Sequence, residues 1–150
     1  MPATNTIRVY HDRSCPICRA EMQELKAIDV DNVLELIDCS VAGFTDAPAQ
    51  AAGLDQRRLM AAMYIRTPDG QWLDGPDAFA HLYATLGIPG MAKLWGSRRL
   101  RPLVNAGYWL FARTRKLLSA LGFAHLVRWF VRREAQRAAA RAQHCNSQRD

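Results

Sequence analysis

The chain has 150 residues, 49% of them hydrophobic, with four cysteines and a formal net charge of +6. That length supports one ordinary core with an extension, and the apolar content excludes a disordered polymer, while four cysteines are too few here for a disulfide scaffold. The charge is divided: residues 1–92 carry 7 Lys+Arg against 12 Asp+Glu and residues 93–150 carry 13 against 2, an asymmetry that points to a separate interaction surface in the C-terminal half.

The first six residues contain no basic start leading into an apolar stretch, so a secretory signal is not expected and the thiols are placed in a reducing cytosol. Ile7, Val9 and Tyr10 interleave with Arg8 as a short strand would, and from Cys18 onward Met22, Leu25 and Ile28 recur at helical spacing. Val33, Leu34, Leu36 and Ile37 predict a second, buried strand ending at Asp38 and Cys39. Between Asp46 and Ala62 one or two short helices fit, with Gly53 as a break and Asp55 as a new cap. Extended runs on either side of Pro68-Asp69-Gly70 form a hairpin signal, because Asp-Gly supplies the backbone freedom of a tight turn. Gly75-Pro76-Asp77 opens a helix with Ala78, Phe79, Leu82, Tyr83 and Leu86 on one face, and Gly87 stops it. This order predicts an α/β fold: a mixed sheet of about four strands flanked by helices, in the thioredoxin-like arrangement.

Cys15 and Cys18 fall where the first strand feeds the first helix. Unpaired N–H groups and the partial positive charge of a helix start favour a thiolate there, and Pro16 suits the first turn with Ser14 or Cys15 as cap. The expected geometry exposes Cys15 as nucleophile and shelters Cys18, one turn on, as resolving thiol. Arg13 adds a modest cationic contribution, and Asp12, if buried, would serve as proton acceptor for Cys18. Two other uses of the pair stand beside this one. Half a zinc site would need ligands from Cys39, Cys145, His11 or His144, and no second CxxC or HxxxH is present. A structural bridge would close so small a loop that it constrains little of the unfolded chain.

The pattern Asp12-x-x-Cys15-x-x-Cys18 after a short strand resembles the signature of the DCC family of predicted thiol-disulfide oxidoreductases, small thioredoxin-like proteins named for those residues. Leu36-Ile37-Asp38, the hairpin at 63–70, Gly75-Pro76-Asp77-Ala78-Phe79, and Arg101-Pro102-Leu103 followed by Tyr108, Ala112-Arg113 and Arg115 are similar to further family segments, so the likeness covers residues 8–118. It implies the fold and a redox role for Cys15 and Cys18, and no substrate. Three features depart from the pattern: Arg13 stands where a glycine is common, no proline precedes the strand at Met63 as the cis-proline does in thioredoxins, and the tail beyond 121 lies outside the likeness.

Residues 1–118 are accordingly read as the thioredoxin-like domain and 119–150 as a basic amphipathic helical extension with a frayed tail. Val104, Tyr108, Phe111 and Leu118 give one helix an apolar face for packing. Within 121–131, Leu121, Phe123, Leu126, Val127, Trp129, Phe130 and Val131 crowd together beside Arg128, Arg132 and Arg133, too short a run to span a bilayer but suited to an interfacial helix or a protein contact through residues 101–133. The arginines accompany an apolar cluster rather than a nucleic-acid reading module, which argues against nucleic acid. The expected activity is thiol-disulfide exchange by Cys15, Cys18 and Asp12 on a protein or small-molecule disulfide, with an external thiol donor and no cofactor or metal. The alternative is a redox-inactive module that docks to a membrane surface or protein through its basic helices.

Overall fold

The computed structural model describes residues 5–146, with side chains through residue 141. Strands β1 (Ile7–His11), β2 (Leu34–Asp38), β3 (Tyr64–Arg66) and β4 (Trp72–Asp74) form one sheet in the order β2-β1-β3-β4. β1 runs parallel to β2 and antiparallel to β3, and β3 is antiparallel to β4. This is the mixed α/β sheet that the element order predicts. Helices α1 (Pro16–Ala27), α2 (Ala47–Ala51) and α3 (Gln56–Ala61) fill its connections, and α4 (Gly75–Thr85), α5 (Pro89–Trp95), α6 (Arg101–Ala120) and α7 (Phe123–Asn146) follow the last strand.

Alternation along β1 separates two cores. Ile7 and Val9 face Met22 and Leu25 of α1, Phe79, Leu82 and Tyr83 of α4, and Val131 of α7, whereas Tyr10 joins Cys39, Ala49 and Leu59 in a smaller cluster. Asp46 organises that smaller side. Its carboxylate accepts from Ala49 N–H as the α2 cap, from Tyr10 Oη at 3.0 Å and from Arg8 Nη2 at 3.0 Å. At the hairpin, Gly70 adopts φ +91°, the conformation the turn requires. Ile88 and Gly96 cap α5, which the apolar pattern alone does not announce.

The segment after residue 121 contributes to the main core. Val131 is buried, Val127 and Ala135 pack beside it, and Arg132 Nε donates to the buried Glu24 of α1 at 2.6 Å, with Arg128 Nη2 donating to Gln23 Oε1 at 2.9 Å. Burying the aliphatic stripe and pairing Glu24 together fix α7 along α1. The tail from Glu134 onward, expected to fray, continues α7 as far as Asn146, and residues 147–150 lie outside the described residues. No helix among the described residues is long and apolar enough to cross a membrane.

Candidate active site

The site is assembled where β1 ends. Cys15 caps α1 with extended backbone at φ −81° and ψ 115°, Pro16 occupies the first turn, and Arg19 N–H returns to the Cys15 carbonyl at 2.9 Å. Asp12 folds the loop in front of the helix: its Oδ1 accepts from Ser14 N–H at 3.0 Å and from the Ser14 hydroxyl. Arg13 keeps a negative φ, since Asn32 is the non-glycine residue with positive φ among those described. The turn therefore does not need the family's glycine.

Cys15 and Cys18 approach to 3.4 Å, unbonded. The Cys15 thiol is drawn down to about 5, first by donation from the Cys18 thiol, against the opposing effect of burial, and further by the N–H groups of Cys18 and Ile17 and the Ser119 hydroxyl. The same hydrogen bond, followed by burial, raises the Cys18 thiol strongly, with Arg115 acting in the opposite direction. The pair thus divides its roles as a nucleophile and a protonated resolving thiol do. Helix N–H groups and neighbouring hydroxyl and thiol donors lead this effect; Arg13 is exposed and is not among its main causes.

One expectation is corrected. Cys15 is 3% exposed rather than open to solvent, because the last turn of α6 lies over it with Ser119 Oγ 3.7 Å from its Sγ, while Cys18 is half-buried. The cover comes from residues a hundred positions away, so the local strand-to-helix pattern contains no sign of it. α6 is held on this side by two further contacts: Met63 N–H donates to Tyr108 Oη at 3.1 Å, and Arg115 Nη2 donates to the Met60 carbonyl. Gly75, at φ +50°, permits that approach, since a Cβ there would lie 3.1 Å from Tyr108 Cε1. The N–H of Met63, just before β3, is thereby engaged by α6.

Beneath the cysteines is a cavity of about 30 Å³ lined by Asp12, Cys18, Glu21, Tyr108 and Arg115 among others, room enough for a water. Asp12 is buried, and its Oδ2 faces Arg115 Nη2 at 3.5 Å but accepts no hydrogen bond. Arg115 Nη1 lies 3.9 Å from Cys18 Sγ. The structure thus gathers Cys15, Cys18 and Asp12 and adds three groups. Arg115 enters the sequence reading only as part of a resembling helix, and Ser119 has no local signal. Glu21 was missed as well, although its place three residues after Cys18 on the same helix face is a signal that helical spacing offers.

Burial pushes the Glu21 carboxyl up to about 7, against the hydrogen bond it accepts from Tyr83 Oη at 3.0 Å. A raised folded pKa means that the folded chain holds a proton the unfolded chain has released, so the associated stability is present below the ordinary value of 4.5 and is lost as pH rises through about 7. Glu21→Gln keeps an acceptor for Tyr83 and removes the titration. Thermal melts at acid and alkaline pH are expected to show the variant gaining on the wild type as pH rises across that window; a constant difference would contradict the assignment.

Cys39 is buried in the second cluster, with burial pushing its thiol up to about 12 and its Sγ directed at the Ile37 carbonyl. It behaves as a core residue there. Among the described residues no group of three or more His, Cys, Asp or Glu side chains is arranged to hold a metal ion, and the side chains of His144 and Cys145 lie outside the described residues.

A dithiol at a helix start beyond a parallel strand, on a mixed sheet in the order β2-β1-β3-β4, is the arrangement expected of a thioredoxin-like fold. The model of the DCC1-like thiol-disulfide oxidoreductase family matches residues 9–121, and the chain belongs to that family. An uncharacterised chloroplastic protein of Arabidopsis thaliana is 24% identical over 115 residues, covering 76% of this chain and 53% of its own length. The chain therefore spans about half of that relative. No solved structure gives a significant match.

Proposed function

We propose that the chain is a disulfide reductase in which Cys15 is the nucleophile, Cys18 the resolving thiol and Asp12 the group that receives the Cys18 proton. The observation that carries this reading is the hydrogen-bonded pair itself, with the Cys15 thiol drawn down and the Cys18 thiol raised. The Cys15 thiolate attacks one sulfur of a substrate disulfide, the substrate S–S bond breaks, and the departing thiolate takes a proton from water. Cys18 then gives its proton towards the cavity and attacks Cys15 Sγ, releasing the second substrate thiol and leaving the Cys15–Cys18 disulfide. The substrate is reduced by two electrons, the enzyme is oxidised by two, and an external thiol donor restores the dithiol. Asp12 fits its role because it is buried at this cavity with one carboxylate oxygen free of hydrogen bonds.

Substrate approach requires the last turn of α6 to give way, since Ser119 covers Cys15. In our reading the protein works in a reducing compartment, the cytosol. Cys18→Ser incubated with a disulfide-linked probe peptide is expected to accumulate a mixed disulfide through Cys15, detectable as an added peptide mass, and Cys15→Ser to form none. Equal adducts in both variants, or none in either, would overturn the assignment.

A further inference from the structure

The last turn of α6 has a second face. Opposite Ser119, Leu117 and Leu121 are 65% and 70% exposed, and beyond the bend at Gly122 (φ +78°) Leu126 and Trp129 are 52% and 53% exposed, flanked by Phe123 and Phe130. Six large apolar side chains thus stand in solvent within fourteen positions around one bend, although Val127 and Val131 of the same helix are turned inward onto the core. Monomeric domains rarely leave such a cluster uncovered.

The charge around it says what covers it. Residues 78–133 contain no Asp or Glu. Arg128 and Arg132 are turned back onto Glu24, but Arg113, Lys116 and Arg133 have no carboxylate partner among the described residues. Arg113 lies over the Trp109 ring at 4.4 Å and Arg133 over the Trp129 ring at 4.9 Å, pairing a cation with an amphipathic ring on each helix. Leucine and phenylalanine at the tip, tryptophan beside them and unpaired cations around the rim match the layering of a lipid headgroup region. A second copy of the chain would bring like charges together.

We propose that the α6–α7 corner docks on an anionic lipid surface. On the reading of Cys15 as the nucleophile, docking holds that thiol about one helix diameter, roughly 10 Å, from the lipid, because α6 alone separates the two. The substrates within reach are then disulfides at the membrane surface.

The test is cosedimentation of the full chain with phosphatidylcholine vesicles containing or lacking phosphatidylserine, at low and high salt, repeated with Cys15→Ser to separate docking from redox chemistry. Binding is expected only with phosphatidylserine, weakened by salt and unchanged in Cys15→Ser. The double variant Leu117→Glu with Leu121→Glu is expected to bind at least about tenfold more weakly. Replacing Arg113, Lys116 and Arg133 by Gln is expected to cost about fivefold per charge removed, and decides the matter if the leucine variant does not fold. Binding to neither vesicle, or equally to both, overturns the proposal. So does self-association in the absence of lipid that the leucine variant abolishes. Any of these leaves the mixed-disulfide test of Cys15 untouched.

Discussion

Cys15→Ser is expected to slow reduction of a disulfide substrate at neutral pH by a factor of about a thousand or more, because a hydroxyl in that place is neither ionised nor a comparable nucleophile. With the wild-type thiol near 5, about 99% is thiolate at pH 7, whereas an ordinary thiol near 8.5 is only a few per cent ionised. The origin of that value is separately testable. Since donation from the Cys18 thiol is its leading cause, Cys18→Ala is expected to move the thiolate titration upward by at least about one unit, read as ultraviolet thiolate absorbance against pH. Cys18→Ser keeps a donor and is expected to move it less. Contributions from the N–H groups of Cys18 and Ile17 survive both changes, with burial still acting against them. An unshifted titration in Cys18→Ala would mean that the helix start alone holds the thiolate, and the division of roles between the cysteines would need another cause.

Arg115→Met carries the largest expected effect on stability. The guanidinium joins three parts of the fold: Met60 before β3, Cys18 on α1 and Asp12 after β1. Removing it leaves a buried carboxylate without its countercharge, which costs about 3–5 kcal/mol in such settings, and each kcal/mol lowers Tm by about 2–4 °C in a chain of this size. Lysine is expected to recover little, because a single ammonium cannot reach all three partners as the guanidinium fork does. Asp12→Asn in the same chain is expected to recover a large part of the loss, since it removes the stranded charge. A variant as stable as the wild type would contradict the role of Arg115 as countercharge to Asp12. Resolution by Cys18 is also expected to slow, as Arg115 is the cation that opposes the rise of its thiol.

What was legible in the chain followed range. Strands, the Asp-Gly hairpin, the Asp46 and Asp55 caps and the glycine-led α4 are decided by neighbours within a few positions, and they stand where alternation and capping residues place them. The dithiol at the helix start belongs to the same class. α5 escaped because no element is predicted in the stretch after Gly87, although Pro89 serves there as a first-turn proline. The burial of Cys15 escaped for a different reason: it depends on Ser119 returning across the whole chain, and no spacing near residue 15 encodes that. The crowded run at 121–131 was visible as apolar, but its division between inward Val127 and Val131 and outward Leu126, Trp129 and Phe130 is settled only by packing on α1.

The glycine at 75 acquires a mechanical meaning from this arrangement. Tyr108 rests directly on it, and Ser119 sits eleven residues further along the same helix, about 16 Å away. α6 is therefore a rod seated at Gly75 and pinned again at Arg115, with its last turn over the nucleophile. A tilt of some ten degrees about that seat would carry the far end about 3 Å and move the Arg115 end of the helix by about 2 Å, so uncovering the sulfur loads the Arg115 contacts first. The seat and the cover thus lie far apart in the chain, and a side chain at position 75 would meet Tyr108 on the same helix that covers Cys15.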